Sequence, residues 1–175
     1  NWIMASSFLD RKNIRTGVVT ASLNLPSFYK FLRSPVREPI LHTPKMSLAS
    51  YYDLPAINGV DQKLLVINIH AINFVTLESF KKHILQNFEL IAGHDGPIIF
   101  AGDFNTWSSG RMNFLNQMAT KYGLNYVRFT GNDQSNLDHV YQRGFAQAEA
   151  TIHRHITSSD HSPITLKLRL GNISP

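Results

Sequence analysis

Two hydrophobic periods recur along the chain, one of 2 residues and one near 3.6, separated by segments rich in turn formers. Lys63–His70 opens on a solid apolar run and closes in alternation (Asn68-Ile69-His70), which predicts a central strand whose end turns polar. Pro97–Trp107 holds a buried strand, Ile98–Ala101, that empties into Gly102-Asp103-Phe104-Asn105. In an extended segment residues i and i+2 point the same way, so Asp103 and Asn105 are expected to face one pocket with Phe104 packed behind them. Ile164–Leu170 alternates apolar with Thr165, Lys167 and Arg169, the pattern of a half-buried strand or one near an edge. Further strands are expected over Trp2–Ser7, Gly17–Ser22, Ile40–Thr43, Lys45–Leu54, Leu124–Phe129, Leu137–Tyr141 and Phe145–His153. Asn58-Gly59 is a turn signal between Met46–Leu54 and Lys63–His70, predicting an antiparallel pair with a loop longer than two residues. Asp10–Arg15 reads as a turn and Thr130–Asn136 as a polar loop.

Two stretches carry helical spacing. In Thr76–Ile91 the apolar positions are Phe80, Ile84, Phe88 and Ile91, with Thr76 as N-cap, Glu78 in the first turn and Gly93 at the exit. Ser109–Tyr122 repeats the pattern through Met112, Leu115, Met118 or Ala119 and Tyr122, and Gly123 is the expected C′ residue. Leu25–Glu38, with Pro26 and Pro35, reads as an irregular surface excursion. Its interleaved rings (Phe28, Tyr29, Phe31) and cations (Lys30, Arg33, Arg37) suit either packing on the domain or stacking a base beside a phosphate. Many strands, two helices and short connections predict two sheets packed face to face with helices outside them.

Composition narrows this picture. A chain of 175 residues with 43 % apolar residues supports one core and a single domain over 1–175. No apolar run approaches the length of a membrane span. The compartment is unknown from the sequence, with the cytoplasm slightly favoured. The chain has no cysteine, which excludes disulfides, a thiolate nucleophile and a Cys-ligated zinc. A net charge of +5 favours polyanionic partners, but Arg11-Lys12 and Lys81-Lys82 are too sparse to show nucleic-acid binding. The opening Asn1-Trp2, without an initiator Met or a leader pattern, is expected of a fragment or internal domain.

Four polar clusters stand at predicted strand ends: His70 with Asn73, Asp103 with Asn105, Asp138 with His139, and Asp160 with His161. Strand ends in layered sheets are where loops converge over a rigid base. A histidine oriented by a carboxylate can move a proton or sit against a phosphate oxygen. Hard oxygen donors such as Asp103 and Asp160 suit Mg²⁺ or Mn²⁺. Spacing alone leaves zinc and a purely structural metal open.

In this order the motifs resemble the endonuclease/exonuclease/phosphatase superfamily. They are Ile67-Asn68-Ile69-His70, Gly102-Asp103-Phe104-Asn105, Leu137-Asp138-His139-Val140 and Ser159-Asp160-His161-Ser162-Pro163. Gly17–Ser22, His42-Thr43-Pro44-Lys45 and Asp138–Gly144 look like its bacterial YafD-like branch. The resemblance implies an α+β, DNase I-like four-layer α/β/β/α sandwich, here lacking its first strands and helix. It also implies a divalent-metal-dependent phosphoester hydrolase, a nuclease, phosphodiesterase or phosphatase, with Mg²⁺ or Mn²⁺ as cofactor. The implied partner is a phosphate-bearing substrate, with DNA one option. Asp103 would position or activate water, and Asn105 would contact the phosphate and support its geometry. His161, oriented by Asp138, would stand near the scissile phosphate, and Asp160 would help hold the metal. His70 would touch the phosphate or assist the leaving group, with Asn73 beside it in the substrate site. The family's first Asn strand and its metal-binding Glu have no counterpart, since Glu38, Glu78 and Glu89 lie in the wrong order and context. The resemblance therefore implies weak metal binding and little activity for this stretch alone. It leaves as the alternative a non-catalytic module of the same fold that binds nucleic acid or a phospho-ligand.

Overall fold

The computed structural model describes residues 1–57, 60–130 and 137–171. Its centre is a mixed six-stranded sheet. The first members are β3 (Phe28–Arg33), β4 (Met46–Ile57), β5 (Val60–His70) and β6 (Ile98–Asp103). β7 (Asn125–Tyr126) and β8 (Asp138–Arg143) complete the order β3-β4-β5-β6-β8-β7. β5 and β6 run parallel, and every other pair in this sheet is antiparallel. A parallel pair needs a crossover, supplied here by α1 (Leu77–Ala92). α1 begins where the Thr76 hydroxyl accepts the Ser79 N–H, and it ends at Gly93. α2 (Ser109–Lys121) is capped in the same way by Ser108, and Gly123 follows it at φ +69°.

Side-chain alternation sorts the central strand into two faces. Leu65, Ile67 and Ile69 point into a core shared with Phe80, Ile84 and Phe88 of α1, Phe100 of β6 and Leu115 of α2. Val66, Asn68 and His70 point the other way. That second face is covered by two hairpins, β1–β2 (Trp2–Leu9 and Arg15–Ala21) and β9–β10 (Phe145–Ile152 and Ile164–Leu170). Ala5 and Val18 of the first hairpin pack on Met46 and Leu48 of β4. Ala150 and Ile152 of the second pack with Val140 of β8 and with Ile164 and Leu166. The result is an α+β fold with a mixed-sheet core flanked by helices, consistent with the expected DNase I-like α/β/β/α sandwich. Among the described residues the second sheet consists of two separate hairpins. Between β2 and β10 lies a cleft of about 480 Å³, walled by Val19, Ala21, Ile164 and Leu166 and floored by Asn68 and Ala101.

Several expectations fail. Phe28–Arg33 is an edge strand, not an irregular excursion, because Pro26 and Pro35 lie just outside its ends and its rings suit a pleated surface. Ile40–Thr43 is a turn, closed by the Glu38 N–H on the Thr43 carbonyl, with Ile40 88 % exposed. Pro39 and Pro44 remove the donors a ladder would need there. Asn58 and Gly59, and residues 131–136 of the expected polar loop, lie outside the described residues. The β4–β5 ladder continues to Ile57 paired with Val60, so that connection is shorter than expected, with a register shift after Leu54 where Pro55 stands. No described helix is long and apolar enough to cross a membrane.

Candidate active site

The ladders align three titratable side chains. His70 at the end of β5 is the register partner of Asp103 at the end of β6, and Asp103 is the partner of Asp138 at the start of β8. Register partners share a face, so the three stand in a row on the hairpin side of the sheet. His70 Nε2 lies 3.5 Å from Asp103 Oδ2. From the loop before β10, His161 Nδ1 donates to Asp138 Oδ2 at 2.7 Å. That bond assigns the Nδ1 proton and leaves Nε2 as the nitrogen available to a substrate.

Electrostatics tie the row together. The hydrogen bond to Asp138 raises the His161 pKa above its ordinary value, against some loss from burial, and Asp103 and Asp160 add to the rise. His70 moves the other way: burial lowers it first, then the charge of Lys45, against the pull of Asp103 and Glu38. His161 also acts on His70. His161, bonded to Asp138, thus stands at the strand end whose register partner is Asp103.

The Gly-Asp-Phe-Asn turn is built by backbone constraints. Gly102 sits at φ +138°, and a Cβ there would meet the Ile69 carbonyl oxygen at 2.0 Å. Asp103 Oδ1 accepts the Asn105 backbone N–H at 2.9 Å. Phe104 is buried behind it, edge-on to Phe100 and Tyr141. Asn105, at φ +50°, is buried, and its amide donates to the Ala71 carbonyl (2.9 Å) and to Asp103 Oδ2 (3.2 Å). In this geometry Asn105 holds Asp103, and contact with a phosphate would require one of those bonds to be exchanged. Asn73 Oδ1 accepts the Trp107 indole N–H at 2.7 Å, joining the loops after β5 and β6. Asp160 is exposed and accepts a bond from the Ser159 hydroxyl at 3.2 Å. His139 turns into the core, where its Nε2 meets the Thr106 hydroxyl at 2.6 Å and its ring contacts Phe104 and Tyr126.

Sequence reasoning missed the residues that brace this site. Arg111 of α2 is buried, with its guanidinium 4.6 Å from the centres of both the Phe80 and Trp107 rings. It donates to the carbonyls of Ile72 (3.2 Å), Asn105 (3.0 Å) and Val75 (3.0 Å), clasping the two site loops. Glu38 and Lys45 lie on the His70 side. Arg111 and Glu38 reach partners 35 or more residues away, at Ile72 and Val75 and at Asn73, and Lys45 meets Glu38 through a turn, so sequence spacing does not reveal these contacts.

Among the described residues, no three His, Asp or Glu side chains gather closely enough to form a metal site by themselves. The oxygens of Asp103 and Asp160 are the right donor type for Mg²⁺, while both histidines stand against carboxylates. Mg²⁺ keeps several waters and is commonly held by one or two carboxylates plus substrate phosphate. The donor set fits such a loosely held ion and not a closed protein cage.

Fold and site together define a layered α+β protein whose polar side chains gather at one end of a mixed sheet. Residues 6–161 match the Endonuclease/Exonuclease/phosphatase family, and the chain belongs to it. A family protein from Leptotrichia buccalis is similar at 16 % identity over 97 % of this chain and 71 % of that one, with a TM-score of 0.70. One from Beutenbergia cavernae matches at 16 % identity over 97 % of this chain and 53 % of its own, at 0.65. A third, from Bacteroides thetaiotaomicron, matches at 14 % identity over 82 % of this chain and 63 % of its own, at 0.57. At these identities the likeness is one of fold. The chain spans between about half and seven tenths of the length of these structures.

Proposed function

We propose that the protein is a divalent-metal-dependent phosphoester hydrolase whose active site is the row His70–Asp103–Asp138 with His161 docked on Asp138. The observation that carries this reading is the register that sets His70, Asp103 and Asp138 side by side, with His161 bonded to the last of them, Asp138, at 2.7 Å. Asp103, held by Asn105 from both the backbone and the side chain, orients the attacking water and accepts its proton. His161, kept protonated further up the pH scale by Asp138, places its Nε2–H against a phosphoryl oxygen and stabilises the charge that develops there. His70 meets the leaving-group side, and Asn73 fixes the loop beside it. A bound Mg²⁺ or Mn²⁺, held through Asp103 and Asp160, would neutralise phosphoryl charge. The substrate is a phosphate ester, with DNA among the options.

We further read residues 1–175 as part of one domain of the YafD-like branch, in which additional strands occupy the cleft between β2 and β10. The 480 Å³ volume of that cleft and the greater length of the similar structures support this. The sparse metal donors favour a second reading, a non-catalytic module that binds phospho-ligands or nucleic acid.

The discriminating experiment assays the full-length protein against a phosphodiester, a phosphomonoester and a short DNA, with and without Mg²⁺. Metal-dependent hydrolysis abolished by His161→Ala is expected. Hydrolysis that persists in that variant would remove the assignment, and metal-independent DNA binding without turnover would establish the binding module.

A further inference from the structure

Lys45, in the segment His42-Thr43-Pro44-Lys45, has no part in the scheme above. It immediately precedes β4, and because Ser47 pairs with Ile69 the ladder carries Lys45 to the His70 end of the sheet. Its backbone is held on both sides: its carbonyl accepts the Ser34 N–H at 2.8 Å, and its N–H donates to Ser34 Oγ at 3.0 Å. The side chain is only 17 % exposed. Among the described residues its ammonium has one partner, Glu38 Oε2 at 3.5 Å. An ammonium carries three N–H donors, and its one ion-pair partner leaves donors that a further anion can engage.

Glu38 is placed differently. Its side chain is 8 % exposed, and its oxygens accept the Thr43 hydroxyl (3.1 Å) and the Asn73 N–H (3.1 Å). It therefore stays satisfied if the ammonium swings toward another anion. Glu38 also ties the turn that carries Lys45 to the loop that follows His70. The Lys45 charge reaches the site, since it is the largest influence on His70 after burial.

We propose that Lys45 is a substrate-contacting cation that receives a non-bridging phosphoryl oxygen on the His70 side of the site, with Glu38 as its positioning residue. This rests on the phosphoester reading of the same site. A partly buried ammonium with donors to spare meets a phosphoryl oxygen through short, charge-assisted bonds. Inorganic phosphate offers the same oxygens and serves as the probe.

The test is calorimetric titration of the full-length protein with inorganic phosphate at fixed Mg²⁺, alongside hydrolysis rates and thermal unfolding. Lys45→Met should weaken phosphate binding about tenfold or more, and Lys45→Arg should stay within about threefold of the parent, as a retained charge-assisted contact implies. Glu38→Gln should weaken binding in the parent but add nothing in the Lys45→Met background, a coupling that a purely structural role would not produce. If Lys45→Met does not fold, the neutral pair Glu38→Gln with Lys45→Gln keeps the side-chain lengths and should show the same loss. Parental phosphate affinity in folded Lys45→Met, or in the neutral pair, overturns the proposal, as does absence of phosphate binding by the parent protein. If phosphate binds through Lys45 yet no ester is hydrolysed, the cation site stands and the hydrolase reading falls. Conversely, hydrolysis that needs His161 but is indifferent to Lys45→Met leaves the hydrolase reading and removes Lys45 from it.

Discussion

His161 Nδ1 and Asp138 Oδ2, 23 residues apart in the chain, meet at 2.7 Å and join the start of β8 to the loop before β10. The bond fixes both the tautomer and the direction of the imidazole, and with the charge of Asp138 it raises the histidine's pKa.

Asp138→Asn removes the charge and keeps the shape. The His161 pKa should fall, and the alkaline limb of the rate profile should move to lower pH, because the protonated ring is lost sooner. Hydrolysis by the full-length protein at neutral pH should drop on the order of 100-fold. A kcat/KM profile unchanged in height and position would show that the pair does not serve the reaction.

Arg111 makes a second prediction. Its planar fork spans three carbonyls from two loops, and a lysine offers only a point charge. Arg111→Lys should cost about 2 kcal/mol or more of stability, since buried carbonyls lose their donors. Because the Asn105 carbonyl is among them, turnover should fall further than substrate affinity. Denaturant unfolding and steady-state kinetics measure both, and parental stability would refute the clasp.

His83 predicts acid lability. The ring is buried in α1, its Nδ1 accepts the Ile72 N–H at 3.1 Å, and burial, then the charge of His70, brings its pKa down from 6.5 to about 3. Below pH 6.5 the unfolded chain takes up a proton that the folded chain refuses, so stability is lost as pH falls from there toward about 3. The slope is at most about 1.4 kcal/mol per pH unit from this group. His83→Gln should unfold with a weaker pH dependence between pH 7 and 4.5. An identical slope in the two proteins would exclude His83 as the cause.

Much of the frame was legible locally. α1 and α2 follow from apolar spacing plus a Thr or Ser cap, and the pattern of β5 already showed one face going polar toward His70. The Gly102-Asp103-Phe104-Asn105 turn could be anticipated because a glycine, a buried ring and two polar residues at i and i+2 each constrain the same few bonds. The edge strand β3 was obscured, since prolines that bound a strand look, in one dimension, like prolines that break one. The expected strand over Ile40–Thr43 had the opposite fault: its apolar residues mimic a strand, but the flanking prolines leave no ladder to join.

The amino-acid sequence by itself determined the elements, the family motifs and the residue types at the strand ends, because these depend on neighbours a few bonds away. Tertiary structure alone decided that His70, Asp103 and Asp138 stand in one row, that Arg111 braces Asn105, and that Glu38 and Lys45 close the His70 side. The row depends on strand register, where a slip of one position would turn each of its side chains to the opposite face, and the Arg111 and Glu38 contacts depend on loops distant in the chain meeting in space.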